Sequence, residues 1–360
     1  IIMKIATITF QNTNNYGASL QCYALHRALM LLGAETRVIQ YDSPYLNKPY
    51  KLAALREKGL FRFVLGNIWT LLRSPRNKKF GEFNKNIKFT RKVNEKTICS
   101  LASEFDLFIT GSDQVWNGNL SGHDSNYFLS FVKDSKKRAS YAASFGFLNV
   151  PSGELEWYKQ QIAGYRYYNV RETSGQKLVK ELTGKDAKLT IDPTLLLEQN
   201  EWRKVMKAPA VKEPYILVYQ ITPSLKLAKV AEKLHKQTGF KVIAIPFIMD
   251  WPHRFTSLFK IGPAEFIGLF CNASYVVTDS FHGTAFSLIF SRKFWSLSSR
   301  KESRITSLLD ILGLSNRILY FDEKVPNDLT LDINYVDANV KFEQYRQNAL
   351  SVIKEMIHEN

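Results

Sequence analysis

Cysteine is scarce in this chain: three among 360 residues, Cys22, Cys99 and Cys271, far apart and odd in number. They suit neither a disulfide framework nor zinc-ligand spacing, and fit a reduced, cytoplasmic protein. No window holds 18 uninterrupted apolar residues, so no transmembrane helix is expected. The stretch Lys4–Phe10 reads as a strand and not as a secretory leader. Several motifs are also missing. There is no G-x-G-x-x-G for a dinucleotide, no G-x-x-x-x-G-K-[ST] for a nucleoside triphosphate, and no H-E-x-x-H, C-x-x-C or G-x-S-x-G. No recognisable nucleic-acid module occurs either. The expectation is a protein without cofactor, without metal and without nucleic acid as a partner.

Acidic residues are the other shortfall: 33 against 49 basic ones, a net charge of +16. Such a balance calls for an acidic partner. Much of it lies in one stretch, Lys48–Lys96, with 14 basic and 3 acidic residues, a local net of +11. Within it, Leu60-Phe61, Phe63-Val64-Leu65 and Ile68-Trp69 stand among the basic residues. Leu52–Leu72 therefore reads as an amphipathic patch suited to an anionic membrane surface, or as a solvated lysine-rich helical face.

What is present in abundance is the alternation of short apolar strands with helical segments, the pattern of an α/β protein with parallel sheets. Strands are predicted at Lys4–Phe10, Thr36–Tyr41, Leu107–Thr110, Ala139–Ala143 and Tyr168–Arg171. A second set is predicted at Tyr215–Gln220, Lys241–Pro246, Tyr275–Thr278 and Phe294–Leu297. Helices are predicted from about Gly17 to Leu32 and over Glu154–Ala163, Ser224–Thr238, Pro263–Cys271, Gly283–Phe290, Arg304–Leu312 and Val336–Ile357. The simplest assembly is two Rossmann-like domains facing a cleft. The first spans residues 1–195, with a basic helical insertion at about 48–96. The second spans 196–335, and a C-terminal helix fills 336–360.

Five segments following predicted strands are rich in residues that do chemistry, and ligands of open α/β sheets sit at the carboxyl ends of strands. Asn12-Thr13-Asn14-Asn15-Tyr16-Gly17 precedes a helix and permits close approach to its N–H groups; a plain Asx-rich turn is the alternative. Gly111-Ser112-Asp113-Gln114-Val115-Trp116-Asn117 sets a carboxylate, amides and an indole at a sheet edge, a set that grips a sugar or caps a helix. Ala143-Ser144-Phe145-Gly146 adds small residues at a strand end. Val170-Arg171-Glu172 offers a guanidinium fork for phosphate or carboxylate, or a surface ion pair. Asp279-Ser280-Phe281-His282-Gly283-Thr284 opens an apolar helix whose N-terminus favours an anion. His282 there is a proton-exchanging group. The helix start disfavours a charged imidazole, and a bound polyanion opposes that effect.

In this order Asn15-Tyr16-Gly17-Ala18 with Leu20-Gln21, the segment from Gly111 to Asn117, Val170-Arg171-Glu172, Asp192-Pro193-Thr194-Leu195 and the segment from Asp279 to Thr284 resemble the polysaccharide pyruvyl transferase family over roughly residues 3–315. Arg304 leading into Leu308-Leu309 and Leu312-Gly313-Leu314 adds to the likeness. One branch of that family carries an acidic residue after the N-terminal loop glycine, where this chain has Ala18 and Ser19. The resemblance implies a GT-B-like pair of Rossmann domains. It also implies transfer of a pyruvyl group from phosphoenolpyruvate to two hydroxyls of one sugar, giving a cyclic ketal. The acceptor would be a cell-surface polysaccharide or its lipid-linked precursor, and the protein would work in the cytoplasm or on the inner membrane face. On this reading Arg171, Ser280, His282, Gly283 and Thr284 bind the donor. Asn15, Tyr16, Gly17, Asp113, Gln114 and Trp116 bind the acceptor. His282 acts as acid and Asp113 as base. The competing readings are a GT-B glycosyltransferase using a nucleotide sugar and a non-catalytic glycan-binding protein.

Overall fold

The apolar strands of the sequence are buried on both faces, as parallel strands must be when helices cover a sheet from either side. The computed structural model describes residues 2–11, 13–46, 75–222, 224–246, 255–300 and 303–358. They form two units, one of residues 1–197 with 348–360 and the other of residues 198–347. The division thus falls at Leu197/Glu198, and the last helix contributes to both units.

In the first unit, β1 (Lys4–Ile8), β2 (Glu35–Tyr41), β3 (Phe89–Val93), β4 (Leu107–Thr110) and β5 (Arg138–Ser140) form one sheet in the order β3-β2-β1-β4-β5. Every pairing in it is parallel. A small parallel pair, β6 (Asn169–Val170) with β7 (Lys188–Leu189), continues beyond it. Helix α1 (Tyr16–Leu31) is capped by Asn15, whose side chain accepts from the Ala18 N–H at 3.2 Å. Thirteen of its residues are buried, so it is a central helix without a polar face. A helix over 75–83, α2, packs against its start. Helices α3 (Gly118–Ser121), α4 (Leu155–Ile162) and α5 (Thr173–Thr183) follow. α5 stops at Gly184, which takes the left-handed conformation that glycine adopts without penalty.

The second unit repeats the plan. Its strands are β8 (Tyr215–Tyr219), β9 (Lys241–Ile245), β10 (Thr256–Ser257), β11 (Tyr275–Thr278), β12 (Lys293–Ser298) and β13 (Ile318–Tyr320), ordered β10-β9-β8-β11-β12-β13 and all parallel. Its helices are α6 (Gln199–Arg203), α7 (Leu225–Thr238), α8 (Pro263–Asn272), α9 (Phe281–Ile289), α10 (Ser303–Ile311) and the start of α11 (Tyr335–His358). Both sheets reverse direction of growth at one place, between β1 and β4 and between β8 and β11. That reversal is the switch point where Rossmann-type folds leave a crevice for ligands.

Three expectations change. The end of the predicted helical insertion is strand β3, where Phe89, Thr90 and Val93 turn inward and the charged Arg91 and Lys92 face out. The strand at Tyr168–Arg171 is only two residues long, which puts Arg171 beyond its carboxyl end. Helix α9 begins at Phe281 rather than Gly283, so His282 lies in its first turn. The amphipathic patch at 52–72 lies outside the described residues. Among the described residues no helix is long and apolar enough to cross a membrane. Among them also, no group of three or more His, Cys, Asp or Glu could hold a metal ion.

Candidate functional site

In the first unit the loops after β1 and β4 are tied across the switch point by neutral groups. Gln21 of α1 donates to the Thr9 hydroxyl at 2.8 Å, Thr9 donates to the Ser112 carbonyl at 2.9 Å, and the Ser112 N–H returns to Gln21 Oε1 at 3.2 Å. All three residues are buried, so the loop carrying Asp113 is fixed by a closed hydrogen-bond ring. Gly111 is required beside it. At φ +119°, a Cβ there would lie 2.2 Å from the Tyr141 carbonyl oxygen.

Asp113 follows in the left-handed region at φ 75°, with a quarter of its side chain exposed. Its Oδ1 accepts from the Gln114 N–H at 2.9 Å and lies 3.9 Å from Arg171 Nη2. Arg171, at the end of β6, has only 3% of its side chain exposed. Its Nη1 donates to Asp192 Oδ2 at 3.0 Å and its Nε is 3.6 Å from Glu172. Burial opposes its charge, but Glu172, Asp192 and Asp113 outweigh that and keep the guanidinium protonated well above the ordinary arginine range. Ser144 donates to the same Glu172 and accepts from the Gly146 N–H at 3.1 Å. One guanidinium and three carboxylates thus meet at this edge, with negative charge in excess.

Asn15, exposed, caps α1, while Tyr16 and Gly17 are buried. The Tyr16 ring lies 4.9 Å from the Arg76 guanidinium, which is also 5.0 Å from Phe80 and donates to the Asn14 carbonyl at 2.8 Å. The start of α2 therefore clamps the Asn14–Tyr16 loop, and Arg76 serves that clamp.

In the second unit the same place is tied by a carboxylate. Asp279, after β11, accepts from the Ile221 N–H at 2.8 Å, the Thr222 N–H at 2.9 Å and the Thr222 hydroxyl, all in the loop after β8. Burial raises its carboxyl above the usual range, and these donors offset part of that. Thr278 completes the tie by donating to the Tyr219 carbonyl at 2.8 Å and accepting from the Ser280 N–H at 3.1 Å. Ser280 is the N-cap residue of α9, but its side chain makes no capping bond. The helix's own ladder begins only at Thr284 N–H to the Ser280 carbonyl, 3.0 Å, so the preceding N–H groups mark a positive helix end. His282 sits in that first turn, partly exposed.

Four expected contacts change role. Trp116 is fully buried against Phe128, Phe145 and Tyr165 and presents no face to a sugar. The Thr284 hydroxyl bonds Ser296 at 2.7 Å and the Ser280 carbonyl at 3.1 Å inside the unit, so its side chain is structural. Gly283 packs on Thr278, whose Oγ1 a Cβ would meet at 2.2 Å, so only its backbone N–H faces the helix end. Arg171 is bound to carboxylates of its own chain rather than set out as a fork for a ligand. Gln114 stays partly exposed beside Asp113, and its amide oxygen is 2.4 Å from where a Cβ on Gly146 would stand. The reading of the motifs missed Asp192 as the partner of Arg171. An acidic residue between Leu189-Thr190-Ile191 and Pro193 was its signal. It also missed Thr222 and Ile221, which carry no signal at all.

The family model for polysaccharide pyruvyl transferase matches residues 15–300 of the 360. The chain belongs to the polysaccharide pyruvyl transferase family. Its members, as the family's name states, transfer pyruvyl groups to polysaccharide, and this transferase carries the loops after β4, β8 and β11 within the matched span. No curated protein matches the chain. Among solved structures, a Listeria monocytogenes protein described as a UDP-N-acetylglucosamine 2-epimerase is similar at 10% identity, over 100% of this chain and 98% of that one, with TM-score 0.54. The UDP-GlcNAc 2-epimerase of Neisseria meningitidis bound to UDP-GlcNAc is similar at 12% identity, over 99% of this chain and 100% of that one, with TM-score 0.53. The likeness is one of fold: the pyruvyl transferase has the GT-B-like pair of Rossmann-type units.

Proposed function

We propose that the protein transfers the pyruvyl group of phosphoenolpyruvate to two hydroxyls of one sugar in a cell-surface polysaccharide or its lipid-linked precursor. The observation that carries this is the unequal charge of the two switch points. The second unit offers a helix N-terminus with His282, suited to a carboxylate and a phosphate. The first offers excess carboxylate, which repels such a donor and accepts hydroxyl protons.

His282 and the first N–H groups of α9, with Ser280 beside them, hold the donor's anionic groups. His282 gives a proton to the methylene carbon, leaving C2 electrophilic. An acceptor hydroxyl attacks C2, phosphate departs, and the second hydroxyl closes the ketal. Of the two hydroxyl protons released, one balances the proton spent on the methyl group and one leaves with phosphate. Asp113, the most exposed carboxylate of its cluster, is the base, with Asn15 and Gln114 as acceptor contacts. Arg171 holds Asp113 in place and does not bind the donor. On this proposal no cofactor and no metal is needed, because N–H groups and His282 carry the donor's charge.

The test is product analysis. The protein is incubated with phosphoenolpyruvate and a panel of methyl hexopyranosides, and phosphate release and acceptor mass are followed. A pyruvyl ketal on an acceptor supports the proposal. Turnover of UDP-sugars with phosphoenolpyruvate untouched overturns it in favour of a glycosyltransferase. We place the reaction in the cytoplasm, at the inner membrane face. Support for that comes from the basic, aromatic stretch 52–72. Sedimentation with anionic liposomes at low salt, lost when Lys78 and Lys79 are reversed, is the expected result.

A further inference from the structure

The first unit carries a second concavity, at the opposite end of its sheet from Asp113. Its volume is about 1060 Å³, just above the roughly 300–1,000 Å³ of small-molecule sites. Its walls come from residues just before strands and from Ile357 and His358 at the end of α11. Met3 precedes β1, Asp106 precedes β4, Lys136 and Lys137 precede β5, Arg166 precedes β6 and Lys185 precedes β7. It is therefore at the amino ends of the strands, where neither switch-point loop reaches.

The lining is strongly cationic. Among the described residues that line it, Lys136, Lys137, Arg166 and Lys185 stand with His358 and one carboxylate, Asp106, which already accepts from the Lys4 N–H at 2.8 Å. Three of the four cations are held by their surroundings. Lys137 donates to the Phe105 carbonyl at 2.8 Å, the Arg166 guanidinium lies 5.0 Å over the Tyr167 ring, and Lys185 lies 5.8 Å over Tyr168. Holding like charges together around one open groove costs electrostatic energy unless an anion offsets it. Carbonyl and ring anchors also reduce the side-chain entropy lost when such an anion binds.

We propose that this groove is a binding site for a phosphate-bearing ligand of at least two negative charges, separate from the pyruvyl-transfer chemistry. A free diphosphate and the phosphate headgroups of a lipid surface share that chemistry.

The experiment uses the full chain and two charge-matched double variants. Lys136→Glu/Arg166→Glu reverses two groove cations; Lys177→Glu/Lys180→Glu reverses two on α5 that do not line the groove. Each is first checked for an unchanged melting temperature, and Lys136→Gln/Arg166→Gln replaces the groove variant if reversal alone unfolds it. Inorganic pyrophosphate is titrated by calorimetry, and phosphatidylglycerol vesicles are sedimented with protein at low salt. The groove variant should bind pyrophosphate or vesicles about tenfold more weakly or worse, while the α5 variant stays within about twofold of the parent. Loss confined to pyrophosphate identifies the free ligand; loss confined to vesicles identifies the lipid headgroup. Equal effects of the two variants, or no binding of either probe to the parent, overturn the proposal. Phosphoenolpyruvate turnover should not change in the groove variant.

Discussion

The two switch points of this chain are built on the same strand order, and they differ in what ties them. Between β1 and β4 the tie is neutral, an amide and a hydroxyl, and the charge stands outside it as Arg171 among Asp113, Glu172 and Asp192. Between β8 and β11 the tie is itself a carboxylate, Asp279, spent on three donors, and the positive end of α9 is what remains to face a ligand. A shared topology thus fixes where a ligand goes, while the charge left over after the tie is made decides what kind of ligand it is.

The largest expected effect tests whether the Arg171 cluster is structural. Arg171→Met leaves buried carboxylates without their cation and should cost about 3–5 kcal/mol in urea unfolding. A loss below about 1 kcal/mol would show that the guanidinium is not needed to hold them. Trp116→Ala, in the aromatic core beside the same loop, should also cost about 3–5 kcal/mol. Trp116→Phe should keep acceptor turnover; a selective loss of acceptor affinity would restore the indole as a sugar platform.

Acid separates the two units next. Burial, with Lys88 and Arg27 nearby, lowers the imidazole of His26 in α1 to about 4 from its usual 6.5, and it accepts from the Lys88 N–H at 3.2 Å. An unfolded histidine takes its proton from about pH 6.5 downward, so acid favours the unfolded chain until the folded His26 titrates. The first unit should lose roughly 3 kcal/mol between pH 6.5 and 4. Asp279 works in the opposite sense: its raised carboxyl protonates more readily when folded, so acidification draws no stability from the second unit through it. Hydrogen exchange at pH 7 and pH 4.5 should show protection lost first in the first unit, and His26→Gln should flatten that difference. Earlier loss in the second unit would reverse the assignment. The smallest stability effect is Asp279→Asn, about 1–3 kcal/mol, with increased exchange confined to residues 220–224 and the start of α9.

Much of the architecture was legible because its signals are local. Apolar runs such as Leu107–Thr110 and Tyr215–Tyr219, each followed by turn residues, gave the strands and the loops after them. The loops were therefore placed correctly at carboxyl ends. Strand β3 was hidden because its outward Arg91 and Lys92 blend into a basic stretch. Side-chain roles were less legible, since they depend on partners far along the chain. Arg171 reads as a free fork until Asp192, 21 residues on, is seen bound to it. Trp116 reads as a sugar platform until Phe128, Phe145 and Tyr165 close around it. Glu172 and Ser144 share a bond across 28 residues that no spacing rule announces.

The central claim is that the donor is held by the second unit's switch point and not by Arg171's cluster. Calorimetric titration with phosphoenolpyruvate of the parent chain, His282→Ala and Asp113→Asn tests it directly. The account predicts saturable binding to the parent, loss in His282→Ala, and undiminished binding in Asp113→Asn, which removes a negative charge. Binding that survives His282→Ala and disappears in Asp113→Asn would contradict it.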